Sequence, residues 1–357
     1  MKIGAAVNIR AAVPCIALLL AAPLFAGENT DVVIMKNGDH LTCEIKGLDA
    51  GVLYISPDYI LGTLSVDWSK VARLESKQLF IVRTEDGSVY TGTLNTGETP
   101  ADRPVQIQVL EGPEKEETIE STKIVNMTQT SEKFWQRFNG AVNTGIIYSK
   151  GNSTTQYSLG SETEYLRERW SLEENFSSNL SASKGVTAST RNNLTLTGTH
   201  LLPWNNYFYS GIGSFLQSSE LGIRLQSTLG GGIGRYIKHT NRVTFTVLGG
   251  FVWQNTGYTP SVVPISAQNL AAAAIATQLK VFKFNKTNLN LTAAFFPVVS
   301  EPGRVKLNTN LSYYIKLTGN LSWNISVYGD FDSQPPGNLP SSDYGSSSGL
   351  SWTFGLK

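Results

Sequence analysis

Leu321-Ser322-Trp323-Asn324-Ile325-Ser326-Val327, near the end of the chain, alternates apolar and polar residues without a break, and Asp330 and Asp332 then flank Phe331. After a stretch rich in Pro, Gly and Ser, Leu350, Trp352, Phe354 and Leu356 alternate against Ser351, Thr353 and Gly355. Successive side chains of a strand point to opposite faces, so a strict period of two puts one face in an apolar medium and the other in water. Repeated through most of a chain and closed on itself, that pattern is a transmembrane β-barrel. The expected fold class is all-β: a transmembrane antiparallel up-and-down barrel of about twelve strands, preceded by a small soluble β domain.

The alternation continues upstream. Trp170, Leu172, Phe176, Leu180 and Ala182 oppose Ser171, Glu173, Asn175, Ser177, Asn179 and Ser181. Val305, Leu307, Leu311, Tyr313, Ile315 and Leu317 oppose Arg304, Lys306, Asn308, Asn310, Ser312 and Lys316. Strands are expected near 138–149, 154–167, 169–183, 190–201, 206–217, 224–237, 241–254, 268–283, 287–298, 304–317, 320–332 and 343–356. Each reaches the roughly 9–11 tilted residues that cross a bilayer. The connections alternate: looser ones such as Thr256 to Gln268 and Ser333 to Asp343, tight ones such as Arg167-Glu168-Arg169 and Asn285-Lys286. Long loops on one side and short turns on the other characterise outer-membrane barrels, and an even strand number returns both barrel ends to the short-turn, periplasmic side. Phe134, Trp135, Trp170, Trp204, Tyr207 and Trp323 fall near the short turns, where an interfacial aromatic girdle belongs.

Residues 1–26 read as a secretory signal peptide, with Lys2 and Arg10 ahead of an apolar run and Ala26 as the last residue removed. Cys15 lies within it, so the mature chain keeps one thiol, Cys43, and no internal disulfide or cysteine metal site. Residues 27–130 read as a periplasmic β domain of SH3 or Sm type, possessing a duplicated hairpin. The first hairpin turns at Lys36-Asn37-Gly38-Asp39 and the second at Glu85-Asp86-Gly87-Ser88, so that Gly38 matches Gly87 and Thr42 matches Thr91. Glu111 to Glu120 is acidic, contains Pro113, and reads as a solvated loop. Asp67 and Lys70 are candidate surface residues, with Trp68 assigned to the core between them. Residues 131–357 form the barrel.

With 16% charged residues and a net charge of +1, nothing points to nucleic acid. Gly230-Gly231-Gly232-Ile233-Gly234 lacks the Lys-Ser/Thr ending of a phosphate loop and sits inside a strand pattern, which suits a barrel wall. The histidines are His40, His200 and His239, and no Gly-x-Ser-x-Gly occurs. No catalytic, cofactor or metal residues are assigned and the expectation is not an enzyme; a lipid-modifying activity would need His200. The remaining functional candidate is the lumen, whose expected lining is Glu162, Glu164, Glu173, Arg304, Lys306, Lys316, Asp330 and Asp332. Expected partners are outer-membrane lipid, the barrel assembly machinery and small solutes or ions.

Phe138-Asn139-Gly140 with Gly145 and Tyr148, Gly151-Asn152-Ser153, Tyr328 to Asp332, Pro335-Pro336-Gly337 and Asp343-Tyr344 together resemble the salt-induced outer membrane protein family, over residues 134–357. The segment Val33 to Ser76 looks like the periplasmic domain of its longer members. The resemblance implies location and fold and supplies no catalytic residues. Barrels of this kind usually end on Phe, whereas this chain ends Leu356-Lys357. The expected function is a narrow porin-like channel in the Gram-negative outer membrane, or one linked to envelope or salt stress; the alternative is a non-conducting anchor for the periplasmic domain.

Overall fold

The computed structural model describes residues 31–60, 62–97, 104–111, 116–131, 133–149, 154–183, 188–219, 222–259, 267–284, 286–318, 321–335 and 341–352. The expected signal segment, the Gly151-Asn152-Ser153 motif, Pro336-Gly337 and residues 353–357 lie outside them. No helix among the described residues is long and apolar enough to cross a membrane, which says nothing of crossing by strands. The chain is all-β, with two antiparallel sheets.

The first sheet holds β1 (Asp31–Met35), β2 (His40–Asp49), β3 (Val52–Ser56), β4 (Leu64–Asp67), β5 (Val71–Thr84), β6 (Val89–Thr96), β7 (Gln106–Leu110), β8 (Glu116–Glu120) and β9 (Ile124–Thr130). Its hydrogen bonds repeat. The Met35 amide donates to the Asp39 carbonyl at 2.9 Å, and the Thr84 amide to that of Ser88 at 3.1 Å; Lys36 donates to Lys70 at 2.8 Å, and Glu85 to Lys123 at 2.9 Å. A three-residue 3-10 turn precedes the last strand of each unit, Trp68–Lys70 before β5 and Ser121–Lys123 before β9. The 14-residue β5 belongs to both units, closing the first on β1 and opening the second on β9. Cross-pairing locks them together: β2 reaches β9 at Gly47↔Thr128, and β5 reaches β6 at Ser76↔Leu94. One continuous core results, including Val33, Cys43, Ile45, Leu74, Phe80, Val82, Ile107 and Met127.

The structure corrects one expectation here. The acidic stretch is not simply a solvated loop: Glu116–Glu120 pairs with β7 as β8. Its one apolar side chain, Ile119, is buried in the core while Glu116 stays exposed, so a single anchoring residue holds a strand whose composition reads as loop.

The second sheet contains β10 (Phe138–Ser149), β11 (Thr154–Leu166), β12 (Trp170–Ser183), β13 (Ser189–Leu201), β14 (Tyr207–Ser218), β15 (Ile223–His239), β16 (Val243–Tyr258), β17 (Ala267–Lys283), β18 (Thr287–Pro297), β19 (Val305–Thr318), β20 (Leu321–Asp332) and β21 (Ser342–Trp352). These 12 strands pair strictly in sequence order, in a barrel-like meander. Among the described residues no ladder joins β10 to β21. On one side the connections 167–169, 202–206, 240–242, 284–286 and 319–320 span 2 to 5 residues; on the other, 150–153, 184–188 and 219–222 are of similar length, and 259–266, 298–304 and 333–341 are longer, 7 to 9 residues.

Directly opposed residues share a face. Following the register from β13 to β20 therefore traces two adjacent rows. One runs His200, Tyr209, Ile233, Gly249, Ile275, Phe295, Leu307, Phe331. Its members Tyr209, Ile233, Ile275, Phe295, Leu307 and Phe331 are large and exposed. The neighbouring row runs Leu201, Phe208, Gly234, Leu248, Ala276, Ala294, Asn308, Asp330 and faces the interior. The glycine run belongs to this wall: a Cβ on Gly234 would lie 2.1 Å from the Phe208 ring, and one on Gly232 2.4 Å from the Gly249 carbonyl oxygen. These glycines admit an inward aromatic ring and a close strand approach.

Candidate functional site

The interior is the candidate site, and the ladders sort its charged residues to two ends. Glu162 and Glu164 on β11 share the inward face with Asn175 and Glu173 on β12, beside the short turn 167–169. Glu164 and Glu173 are direct partners. Asp330, Asp332 and Lys306 lie at the far ends of β19 and β20, where Lys306 opposes Asp332. Lys316 lies back toward the short-turn side, opposite Ser322. The expected lining residues thus share a face without forming one site.

Arg304 departs from expectation. It precedes β19 and its side chain is only 1% exposed, bonded rather than lining an open path. Its Nε donates to Asp332 Oδ1 at 2.9 Å, Nη2 to Asp332 Oδ2 at 2.6 Å, and Nη1 to Glu301 Oε2 at 2.7 Å. The planar guanidinium suits this two-point grip on a carboxylate. Lys306 Nζ adds a longer contact to Asp332, 3.7 Å. Two apolar clusters pack at the same end: Ile223 and Tyr258 with Leu216, and Leu270, Ala272 and Val298 with Phe296. Between the ends, one cavity of about 420 Å³ is lined by Phe208, Leu248, Gln278, Asn308 and Asp330, among others. Another, about 510 Å³, is lined by Asn288, Asn290, Ser312, Tyr314 and Ser326, among others.

The expected aromatic positions cluster near the short turns. Phe134 packs edge-on to Phe138 at 5.3 Å and against Tyr165 at 5.4 Å. Arg235 lies over the Tyr207 ring at 5.1 Å. Trp170, Trp204 and Trp323 are exposed. His200 packs against Trp170 at a tilt of 33°, with centroids 4.1 Å apart, and its buried Nδ1 has no hydrogen-bond partner among the described residues. That is an aromatic packing position with no catalytic partner on this nitrogen. Among the described residues no three His, Cys, Asp or Glu side chains are grouped to hold a metal ion.

In the first domain, Asp67 caps the short 3-10 turn Trp68–Lys70: it accepts from the Ser69 amide at 3.0 Å and the Ser69 hydroxyl at 2.7 Å. Lys70 remains exposed. Trp68 is buried, and its indole N–H donates to the Ser121 carbonyl at 2.8 Å, bridging the two units. His40 is exposed and Cys43 buried, so they occupy different environments. Burial, with the Asp31 and Glu44 charges adding to it, pushes the Cys43 thiol up to about 12.

Sequence reasoning missed Arg83 and Glu301. Arg83 lies on β5, half-buried, with its Nε buried and unpaired among the described residues. Burial pulls its guanidinium below the usual arginine range, with Tyr236 and Glu164 opposing. A signal existed: aligning the two turns on Gly38 and Gly87 puts Arg83 where the first unit has Ile34.

A sequential antiparallel meander with an apolar outer row and an inward row that passes from apolar and small residues to Asn308 and Asp330 defines a barrel-like β protein, carried behind a duplicated β domain. The chain belongs to the family described as "protein of unknown function, DUF481", whose model matches residues 142–354 and so covers nearly all of the second sheet. Comparison with curated proteins gives no match.

Proposed function

We propose that this chain is an outer-membrane β-barrel of a Gram-negative bacterium, exported by a signal peptide spanning residues 1–26 and holding residues 27–130 in the periplasm. Its lumen conducts small polar solutes or ions, as expected for a salt-stress envelope protein of the kind it resembles. The observation that carries this reading is the continuous row of large apolar side chains turned outward, Tyr209, Ile233, Ile275, Phe295, Leu307 and Phe331, beside an inward row of smaller and apolar residues that ends in Asn308 and Asp330. Burying such an outer row in hydrocarbon is favourable at about 25 cal/mol per Å² of apolar surface, whereas in water it is a liability. Outer-membrane lipid and the assembly machinery are the partners this role requires.

The test is planar-bilayer conductance of the refolded chain, beside Lys306→Glu. Stepwise currents with altered ion preference in the variant support conduction through this lumen. Silence from protein that has demonstrably folded refutes conduction. A second reading, a non-conducting anchor, is favoured by the apolar clusters and buried Arg304 that tighten one end of the interior.

A further inference from the structure

Resting on the barrel reading above, we propose that the N-terminal domain is a stopper seated on the short-turn mouth of the barrel, with Arg83 as its latch against the inward glutamates. Two turns of that domain touch two short turns of the second sheet. At the β5–β6 turn, Asn206 Nδ2 donates to the Glu85 carbonyl at 2.7 Å. Gly87 presses so closely that a Cβ on it would lie 2.5 Å from Asn206 Oδ1. At the β2–β3 turn, a Cβ on Gly51 would lie 2.9 Å from the Asn241 carbonyl oxygen. Both glycines have positive φ, 87° and 76°, and both turns are tight enough to enter the contact. Asn205 and Asn206 answer with φ of 51° and 59°, left-handed values that asparagine tolerates better than most residues.

The gap left between Arg83, Gly87, Leu202, Asn206, Tyr236 and His239 is only about 20 Å³, room for roughly one water. Arg83 stands at this seam, lining the gap, within electrostatic range of Tyr236 and Glu164, which favour its charge, and of Arg169, which opposes it. Glu164 in turn feels Glu173 and Glu162 as well as Arg83. Three like charges near one mouth repel one another, and one guanidinium from the facing domain relieves that repulsion. The aligned position of the first unit, Ile34, could not. This accounts for the half-buried arginine, which the core of its own domain does not use.

The test uses cysteine pairs in the full-length chain carrying Cys43→Ser. The ideal Gly51 Cβ lies 3.8 Å from the Asn241 Cβ, the spacing typical of a disulfide, about 3.8 Å. Gly51→Cys with Asn241→Cys should oxidise to a reducible cross-link, as should Gly87→Cys with Asn206→Cys. Adding Arg83→Glu should lower the cross-linking rate about tenfold, and Arg83→Glu with Glu164→Arg should recover it, because the charge pair is restored. Heat-modifiable gel mobility confirms that each variant is folded. Failure of both pairs to cross-link in folded protein overturns the docking. Cross-linking unaffected by Arg83→Glu overturns the latch. Conductance is read separately: higher current after reduction supports the stopper, and unchanged nonzero current overturns it. Cross-links that behave as expected in a protein silent in both states support docking and remove only the conduction reading.

Discussion

Replacing Asp332 by alanine should destabilise the barrel far more than an ion-pair deletion on its surface. Arg304 is held by three charge-assisted hydrogen bonds, and Asp332 accepts two of them. The Arg304 side chain is 1% exposed, so water cannot take over when the carboxylate goes. Removing one partner of a buried ion pair costs about 3–5 kcal/mol. Glu301 keeps its bond and is 36% exposed, which places the expected loss for Asp332→Ala at the low end, about 3 kcal/mol. Arg304→Met should cost less, since the carboxylates it abandons reach solvent and can hydrate. The internal control is Arg73–Glu75 in the other domain, equally close at 2.6 Å but with both side chains about half exposed; Glu75→Ala should cost under about 1 kcal/mol. The assay is urea unfolding of protein refolded in lipid vesicles, following barrel and domain transitions separately. A cost for Asp332→Ala no greater than that for Glu75→Ala, or a larger cost for Arg304→Met, would refute the reasoning.

Three further outcomes are expected. With its thiol raised to about 12 from an ordinary 9.0, Cys43 should react with iodoacetamide at pH 8 roughly a thousandfold more slowly in folded than in urea-unfolded protein, from thiolate fraction alone; comparable rates would show the thiol is not held in the core. Asp86 is held below the ordinary carboxylate range chiefly by its hydrogen bond from the Thr84 hydroxyl, and it accepts from the Ser88 amide at 3.1 Å. A depressed carboxyl contributes stability above its unfolded pKa and loses it as pH falls through the folded one, so hydrogen-exchange protection at Ser88 should drop below pH about 4 and lose that dependence in Asp86→Ala. Gly250→Val should block refolding or cost about 1–3 kcal/mol, because its Cβ would meet the Gly231 carbonyl oxygen at 2.3 Å. Gly249→Val, with nothing within 4 Å, should refold normally.

The second sheet was legible because its physics is local. Alternation at Trp170–Ser181 or Leu321–Phe331 names both strand and face, and a tight turn such as 167–169 leaves little freedom of register. Expected and observed strands differ by a few residues at their ends. β8 was hidden because only Ile119 among Glu116–Glu120 reports burial. Arg304 was read as a lining residue because face parity reveals direction but not depth; its partner Glu301 lies in a loop, and its partner Asp332 is brought near only by the β19–β20 register. Arg83 could be assigned to a strand from sequence, but the seam it enters exists only after two separate sheets meet. A comparison of the duplicated turns would have exposed it as the charged substitute for an aliphatic residue.

The shared strand β5 makes the duplicated domain indivisible. Neither unit owns a complete set of strands: the first borrows the start of β5, the second its end, and β9 reaches back to β2. A chain shortened to one unit would carry an unpaired edge along its longest strand. A second copy of the same fragment offers the matching edge, so the truncated product should assemble by strand exchange between chains rather than persist as a folded monomer. The repeat has become a single folding unit that losing either half would turn into an adhesive.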